Sequence, residues 1–231
     1  MADALQLSEK QLDALRQFDT CMVANAVERF NVRLRNTGFT DGRIRCMFPD
    51  QPPTVGYAVT ARLRAGEPPM KGGTFHVRTD LWESIVAMPA PRILVLEDMD
   101  DIPGRGAFMG DVHAAILRAL GCVAHVTNGA VRQLPGVRES GIQLFAGSLA
   151  VSHAYVHIFD VGAEINVGGM EVRSGDLLHG DQHGVLTIPL KIASAVPEVA
   201  AKIREAERTL VEFCRSQSFS IEKLGELMEQ I

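Results

Sequence analysis

The run Arg92-Ile93-Leu94-Val95-Leu96-Glu97-Asp98 constrains the fold of this chain more than any other segment. Four successive apolar residues closed by two acids cannot alternate between a wet and a dry face. They predict a strand covered on both sides, as in a parallel sheet flanked by helices. The segments after it fit that plan. A loop over Asp98–Gly110 leads to a helix over Asp111–Leu120, with Val112, Ala115, Ile116, Ala119 and Leu120 as its apolar face and Gly121 as its stop. Cys122–Gly129 reads as a strand ending in an Asn128-Gly129 turn, Ala130–Gly141 as a short helix or turn, and Ile142–Ser148 as another strand.

Upstream, Val55, Tyr57, Val59, Ala61 and Leu63 alternate, which predicts a strand with one buried face. Ser8 and Thr20 are candidate N-caps. The first would start a helix running to about Phe18, and the second a helix with Met22, Val23, Ala26, Val27 and Phe30 facing inward. Phe75–Met88 predicts a further helix. From Ala154 to Pro189 the pattern is short strands with glycine turns, Gly168-Gly169 marking a hairpin. The last forty residues are helical, with Ser220 capping the final short helix. No repeat or linker divides the chain, so one mixed α/β domain over residues 1–231 is expected.

Composition narrows the function. The 231 residues carry a net charge of −5, so no basic field exists to neutralise phosphates, and nucleic acid is not an expected direct partner. Apolar runs are broken every few residues, so no membrane span or secretory signal is predicted. Cys21, Cys46, Cys122 and Cys214 show no metal or redox spacing and are expected as buried free thiols in a reducing cytoplasm.

The chemistry-bearing stretch runs from Glu97 to Arg132. A helix beginning at Gly110-Asp111 presents unpaired N–H groups and a partly positive end, a natural seat for a carboxylate or phosphate. Arg132, one strand later, could grip a carboxylate through parallel hydrogen bonds. Gly110, Asp111, Val112, His113 and Arg132 are therefore the candidate substrate-binding residues. The plainer alternative is that Gly110 allows close packing, Asp111 complements the helix dipole and Arg132 makes a surface ion pair. Glu83, Glu97, Asp98, Asp100, Asp101 and Asp111 could supply an oxygen ligand to a hard metal, although most of these loop acids are expected in solvent. Gly104, Gly106 and Gly110 miss the dinucleotide spacing, and Lys71-Gly72-Gly73-Thr74 lacks the leading glycine of a phosphate loop. There is no G-x-S-x-G elbow, no HExxH, and no lysine within an apolar strand, which disfavours serine hydrolase, zinc protease and Schiff-base chemistry.

Taken together, Leu15–Phe30, Val55–Leu63, Gly106–Arg132 and Ser174–Pro189 resemble the RraA-like family. That family contains the 4-hydroxy-4-methyl-2-oxoglutarate aldolases and the ribonuclease regulator RraA, formerly labelled dimethylmenaquinone methyltransferases. The resemblance covers about residues 18–190. It implies a β/β/α swivelling-type α/β domain with a helical C-terminal tail over 191–231, assembled as a homotrimer or hexamer. It also implies a divalent metal, Mg²⁺ or Mn²⁺, and a small 2-oxo acid substrate. On that basis Arg132 and Asp111 would be catalytic, with Arg132 and the amides of the 111–120 helix holding the carboxylate and Asp111 positioning metal-bound waters. Glu205 or Glu207 of a neighbouring subunit would be a candidate further acid.

One departure stands out. In the aldolases the arginine is followed by a metal-binding aspartate and, three residues on, by another acid. Here the text is Arg132-Gln133-Leu134-Pro135-Gly136. A metal would have to be held by Asp111, His113 and Gln133 with waters. The expected function is a metal-assisted lyase on a pyruvoyl-containing acid, by retro-aldol cleavage or oxaloacetate decarboxylation. The alternative is a non-catalytic oligomer that binds and regulates a partner, as the regulator does with its ribonuclease.

Overall fold

The structure, a computed structural model, describes residues 6–70 and 78–229. The predicted loop and helix start over residues 71–77, including Lys71-Gly72-Gly73-Thr74, lie outside the described residues.

Two short helices, α1 (Glu9–Arg16) and α2 (Thr20–Glu28), open the chain, followed by β1 (Arg45–Cys46), β2 (Thr54–Arg64) and α3 (Thr79–Ala87). Next come β3 (Arg92–Asp98), β4 (Ala107–Met109), α4 (Asp111–Ala119), β5 (Cys122–Val131), α5 (Leu134–Glu139) and β6 (Gln143–Leu149). A strand-rich stretch follows, with β7 (His157–Val161), β8 (Ile165–Val167), β9 (Met170–Val172), β10 (Leu177–Asp181) and β11 (Gly184–Ile188). Helices α6 (Leu190–Ala193), α7 (Val196–Arg215) and α8 (Ile221–Met228) close it. This is the α/β fold with a mixed sheet and C-terminal helices that the resemblance implied. Among the described residues no helix is long and apolar enough to cross a membrane.

The main sheet runs β1-β6-β5-β3-β2-β10-β11, with β4 beside β5 and β7 beside β2. Its centre is parallel: β2 pairs β3, β3 pairs β5 and β5 pairs β6 in the same direction. β3 is buried along nearly its whole length, as its unbroken apolar run requires. β2 is buried on both faces, not one. The residues between its large apolar side chains are Gly56, Ala58 and Thr60, small enough to be covered too. Ala58 packs in the cluster under the β8–β9 hairpin, and the Thr60 hydroxyl donates to the Ala163 carbonyl at 2.6 Å. Alternation therefore reported side-chain size rather than exposure.

Other expectations shift in the same way. The α2 cap is Asp19, whose carboxylate accepts from Met22 N–H at 2.7 Å; Thr20 is the first helical residue, and its own N–H donates to the buried Asp181 at 2.8 Å. α4 buries Ala114 and Leu117, while Val112, Ala115 and Ala119 face outward. Of the four cysteines only Cys122 is buried; Cys21 and Cys214 are exposed and Cys46 is partly covered. β4 lies inside the predicted loop before α4. The Gly168-Gly169 hairpin forms as expected, both residues at positive φ of 58° and 81°, and Ser220 caps α8 by accepting from Lys223 N–H at 3.2 Å.

Candidate functional site

The carboxyl ends of β2, β3, β5 and β6 share one rim, because these strands run parallel. Arg64 ends β2, Asp98 ends β3, Val131 ends β5 just before Arg132, and Leu149 ends β6. Open α/β sheets receive ligands at this end of their strands.

Asn128-Gly129 is not a turn. The strand continues to Val131, and the pairing with β6 shifts between Thr127 and Ala130, leaving Asn128 and Gly129 as a bulge. The Asn128 amide clamps the end of β3, accepting from Asp98 N–H at 2.7 Å and donating to the Asp98 carbonyl at 3.0 Å. Gly129 leaves room for the Asp98 carboxylate, which a Cβ there would meet at 3.0 Å. Asp98 is thereby buried rather than solvated. It accepts from Gly104 N–H at 2.8 Å and Asp100 N–H at 3.1 Å, which fixes the loop before β4. Burial raises its pKa against the lowering effect of those two bonds.

The structure brings Gly110, Asp111, Arg132 and Gln133 together. Arg132 is half-buried, and its Nε donates to Gln133 Oε1 at 3.2 Å. Nη1 reaches the Val151 carbonyl at 3.4 Å and His153 Nδ1 at 3.3 Å, so that ring nitrogen acts as the acceptor. Nη2 has no partner among the described residues. Gln133 holds the left-handed backbone (φ 53°, ψ 44°), uncommon for a residue with a side chain, and its amide oxygen lies over Gly110, where a Cβ would come within 2.4 Å. Gly110 is thus required for the Gln133 approach. Gly136 plays the same part in α5, since a Cβ there would lie 2.7 Å from the Asp111 Cβ.

Asp111 occupies the first turn of α4, its Oδ1 accepting from Val112 N–H at 2.8 Å, while the Val112 side chain is 66% exposed. His113 packs against Phe108 with ring centroids 4.3 Å apart and the planes tilted by 46°. Burial, then the charge of His153, holds the His113 pKa below its usual value, and burial followed by Arg132 does the same for His153. Both imidazoles are accordingly neutral at physiological pH.

These donors do not fit a resident Mg²⁺ or Mn²⁺. Asp111 offers one carboxylate, already turned onto its own helix. The Gln133 oxygen is neutral and engaged by a guanidinium, and His113 packs against the Phe108 ring. Among the described residues no three His, Cys, Asp or Glu side chains converge on a common point. Magnesium sites rely on carboxylates and waters, and a neighbouring cation opposes them. Glu205 pairs with Arg208 at 2.6 Å on α7, and Glu207 faces a small hollow beside Asn25 and Arg29.

His153, Phe108 and Asn128 were not singled out as site residues from the sequence, and Asp98 was named only as a possible oxygen ligand to a metal, not as the buried clamp of the loop. Three of them follow a common signal, since they sit at or just beyond the carboxyl end of a parallel strand or on the loop it feeds. His153 lies four residues past β6 and gave no spacing cue.

A mixed sheet with its polar cleft at the parallel rim, an arginine facing a helix start, and glycines that admit both describe one class of α/β protein. Residues 20–187 match the family described as RraA-like, Aldolase/RraA, and the chain belongs to that family. A curated relative from Halalkalibacterium halodurans, named "Putative 4-hydroxy-4-methyl-2-oxoglutarate aldolase", is 30% identical over 84 residues, 36% of this chain. The match spans only 40% of that relative's length. Among solved structures, one described as novel cellulases from microbes associated with the gut ecosystem has a TM-score of 0.75 at 22% identity, covering 90% of each chain. Streptomyces coelicolor RraAS2, described as an unusual member of the RNase ES inhibitor RraA protein family, has a TM-score of 0.70 at 17% identity, covering 88% of this chain and 98% of its own. At these identities the structures share the fold.

Proposed function

We propose that this chain is a binding member of its family, a regulator-type homo-oligomer whose Arg132 cleft holds a small 2-oxo acid without turning it over. The observation that carries this reading is the 3.2 Å bond from Arg132 Nε to Gln133 Oε1. The position beside the guanidinium supplies a neutral oxygen already in use, where enolate chemistry needs a metal held by negative charge. The unengaged Nη2, beside the partly positive start of α4, remains suited to a carboxylate. Apolar side chains flank this cleft, with Leu149 59% and Val151 98% exposed. Such a surface suits contact between subunits, a trimer or a hexamer of this chain.

A second reading, a divalent-metal-dependent aldolase or decarboxylase, is favoured by the match to the Halalkalibacterium protein. The two separate in one experiment. Pyruvate and oxalate binding is measured by calorimetry on wild type and Arg132→Ala, and pyruvate release is measured from oxaloacetate and 4-hydroxy-2-oxo acids with Mg²⁺ or Mn²⁺. The binding reading expects affinity that falls about tenfold or more in Arg132→Ala, the scale of a lost charge-assisted bond, and no turnover. Turnover by wild type that vanishes in Arg132→Ala would establish the lyase instead.

A further inference from the structure

A cavity of about 1310 Å³ opens at the same rim, between the end of β2, the loop after β3, α3 and β7. It far exceeds the space a three-carbon acid fills, and it is larger than most small-molecule sites. His113 and Phe108 form one wall. His153 Nδ1 lies 3.3 Å from Arg132, and the His153 carbonyl packs against Gly106, where a Cβ would come within 2.2 Å of it, between the lining residues Arg105 and Phe108; the Arg132 cleft therefore adjoins the loop that walls this cavity.

The rest of the lining defines what would fit. Leu81, Trp82, Val156 and Ile158 make it apolar, and two cations stand in it without an ionic partner among the described residues. The Arg64 guanidinium stands over the Phe159 ring, 5.9 Å from its centroid, and Arg105 is exposed on the loop that Asp98 fixes. Arg78, the third arginine of the lining, is already paired with Asp80 at 2.6 Å. Of the acids, Asp100 is turned to the backbone, accepting from Ala65 N–H at 2.9 Å and Gly66 N–H at 2.6 Å, while Glu67 and Asp101 are exposed at the edge.

We infer that the ligand is a diacid with an aromatic body. Its 2-oxo carboxylate sits at Arg132, its ring stands against Trp82 and Phe108, and its second anionic group reaches Arg105 and Arg64. This rests on the proposed carboxylate role of Arg132 and extends it to the ligand's other half.

Trp82 is the chain's single tryptophan, so its fluorescence reports the cavity directly. The probes are pyruvate, phenylpyruvate and 4-carboxyphenylpyruvate, titrated by calorimetry and by Trp82 emission. The expected order is 4-carboxyphenylpyruvate tightest, with the two aromatic acids changing Trp82 emission and pyruvate leaving it alone. In Arg105→Ala and in the Arg64→Ala, Arg105→Ala double variant, the affinity ratio of 4-carboxyphenylpyruvate to phenylpyruvate should fall about tenfold, the scale of one lost charge-assisted contact. Equal affinities for all three acids, a silent Trp82, or an unchanged ratio in the double variant would each overturn the inference. The Arg132→Ala variant separates the two claims. If it binds 4-carboxyphenylpyruvate like wild type while Arg105→Ala does not, the cavity stands and the Arg132 reading fails.

Discussion

The Asp98 carboxylate accepts a hydrogen bond from the Gly104 amide 2.8 Å away, closing the loop that carries Met99, Ile102 and Arg105. With Asp100 N–H as its second donor, this buried side chain fastens the cavity wall from within. Asp98→Ala leaves both amides without acceptors and should cost about 1–3 kcal/mol in urea unfolding, with new proteolytic cleavage between 99 and 106. Asp98→Asn, which keeps one acceptor oxygen, should lose less. The acid's pKa is higher folded than unfolded, so its contribution is greatest below the unfolded value and declines as pH rises through the folded one. Asp98→Asn should remove that slope. Alanine and wild type unfolding at the same urea concentration would rule out the fastening role.

Gly136 is where the aldolase pattern has an acid, and steric fit explains why an acid is poorly placed here. Its would-be Cβ lies 2.7 Å from the Asp111 Cβ, closer than real side chains approach. Gly136→Asp and Gly136→Ala should both destabilise by about 1–3 kcal/mol, the usual penalty for overpacking. The near equality of the two is the diagnostic part, because the clash is with the first carbon and not with the charge. A Gly136→Asp protein that melts with wild type would refute it.

Gln133→Asp tests the charge argument directly. Aspartate tolerates the left-handed backbone at this position and places a carboxylate next to Arg132 and near Asp111. Calorimetry with Mn²⁺ should show affinity gained by about tenfold or more over wild type, a difference of ~1.4 kcal/mol. If wild type already binds Mn²⁺ as tightly as the variant, the neutral glutamine is no obstacle to a metal.

His125 is buried against Leu94, its Nδ1 donating to the Leu94 carbonyl at 3.1 Å while Nε2 has no partner among the described residues. Burial drives its pKa down to about 4. The unfolded chain therefore binds the proton more readily, so stability present above about pH 6.5 drains away as pH falls toward 4. At 1.36 kcal/mol per unit this amounts to about 3 kcal/mol. His179 is also fully buried, with Nδ1 3.1 Å from Thr20 Oγ1 and a lowered pKa, and it adds in the same direction. His125→Leu, close in volume, should flatten the fall in urea stability between pH 6.5 and 4. An unchanged pH profile in that variant would show that His125 is not its source.

The parallel centre of the sheet was readable because β3 carries apolar residues on both faces, and only covering layers tolerate that. The helix start at Gly110 and the neighbouring Arg132 were readable because a glycine before a polar helix start marks a chain turning at a strand end. What misled was residue size and ambiguity. Alternation in β2 concealed a second buried face made of Gly56, Ala58 and Thr60. In α4 two stripes of similar apolarity competed, and the Ala114–Leu117 edge turned inward, into the cluster that holds Val131 and Val137. Asn128-Gly129 looked like a turn because its side-chain bonds to the β3 backbone are long-range. The link from Arg132 to His153 joins residues 21 apart through a loop, and no local pattern encodes it.

The shared rim of β2, β3 and β5 has an evolutionary consequence. Arg64 and Asp98 occupy the last paired positions of β2 and β3, opposite His157 and Leu63, and Arg132 follows the end of β5, so exchanging their side chains leaves the backbone pairing of the inner strands in place. Mutation can thus rewrite what this face recognises one loop at a time, while the interior goes on being inherited unchanged.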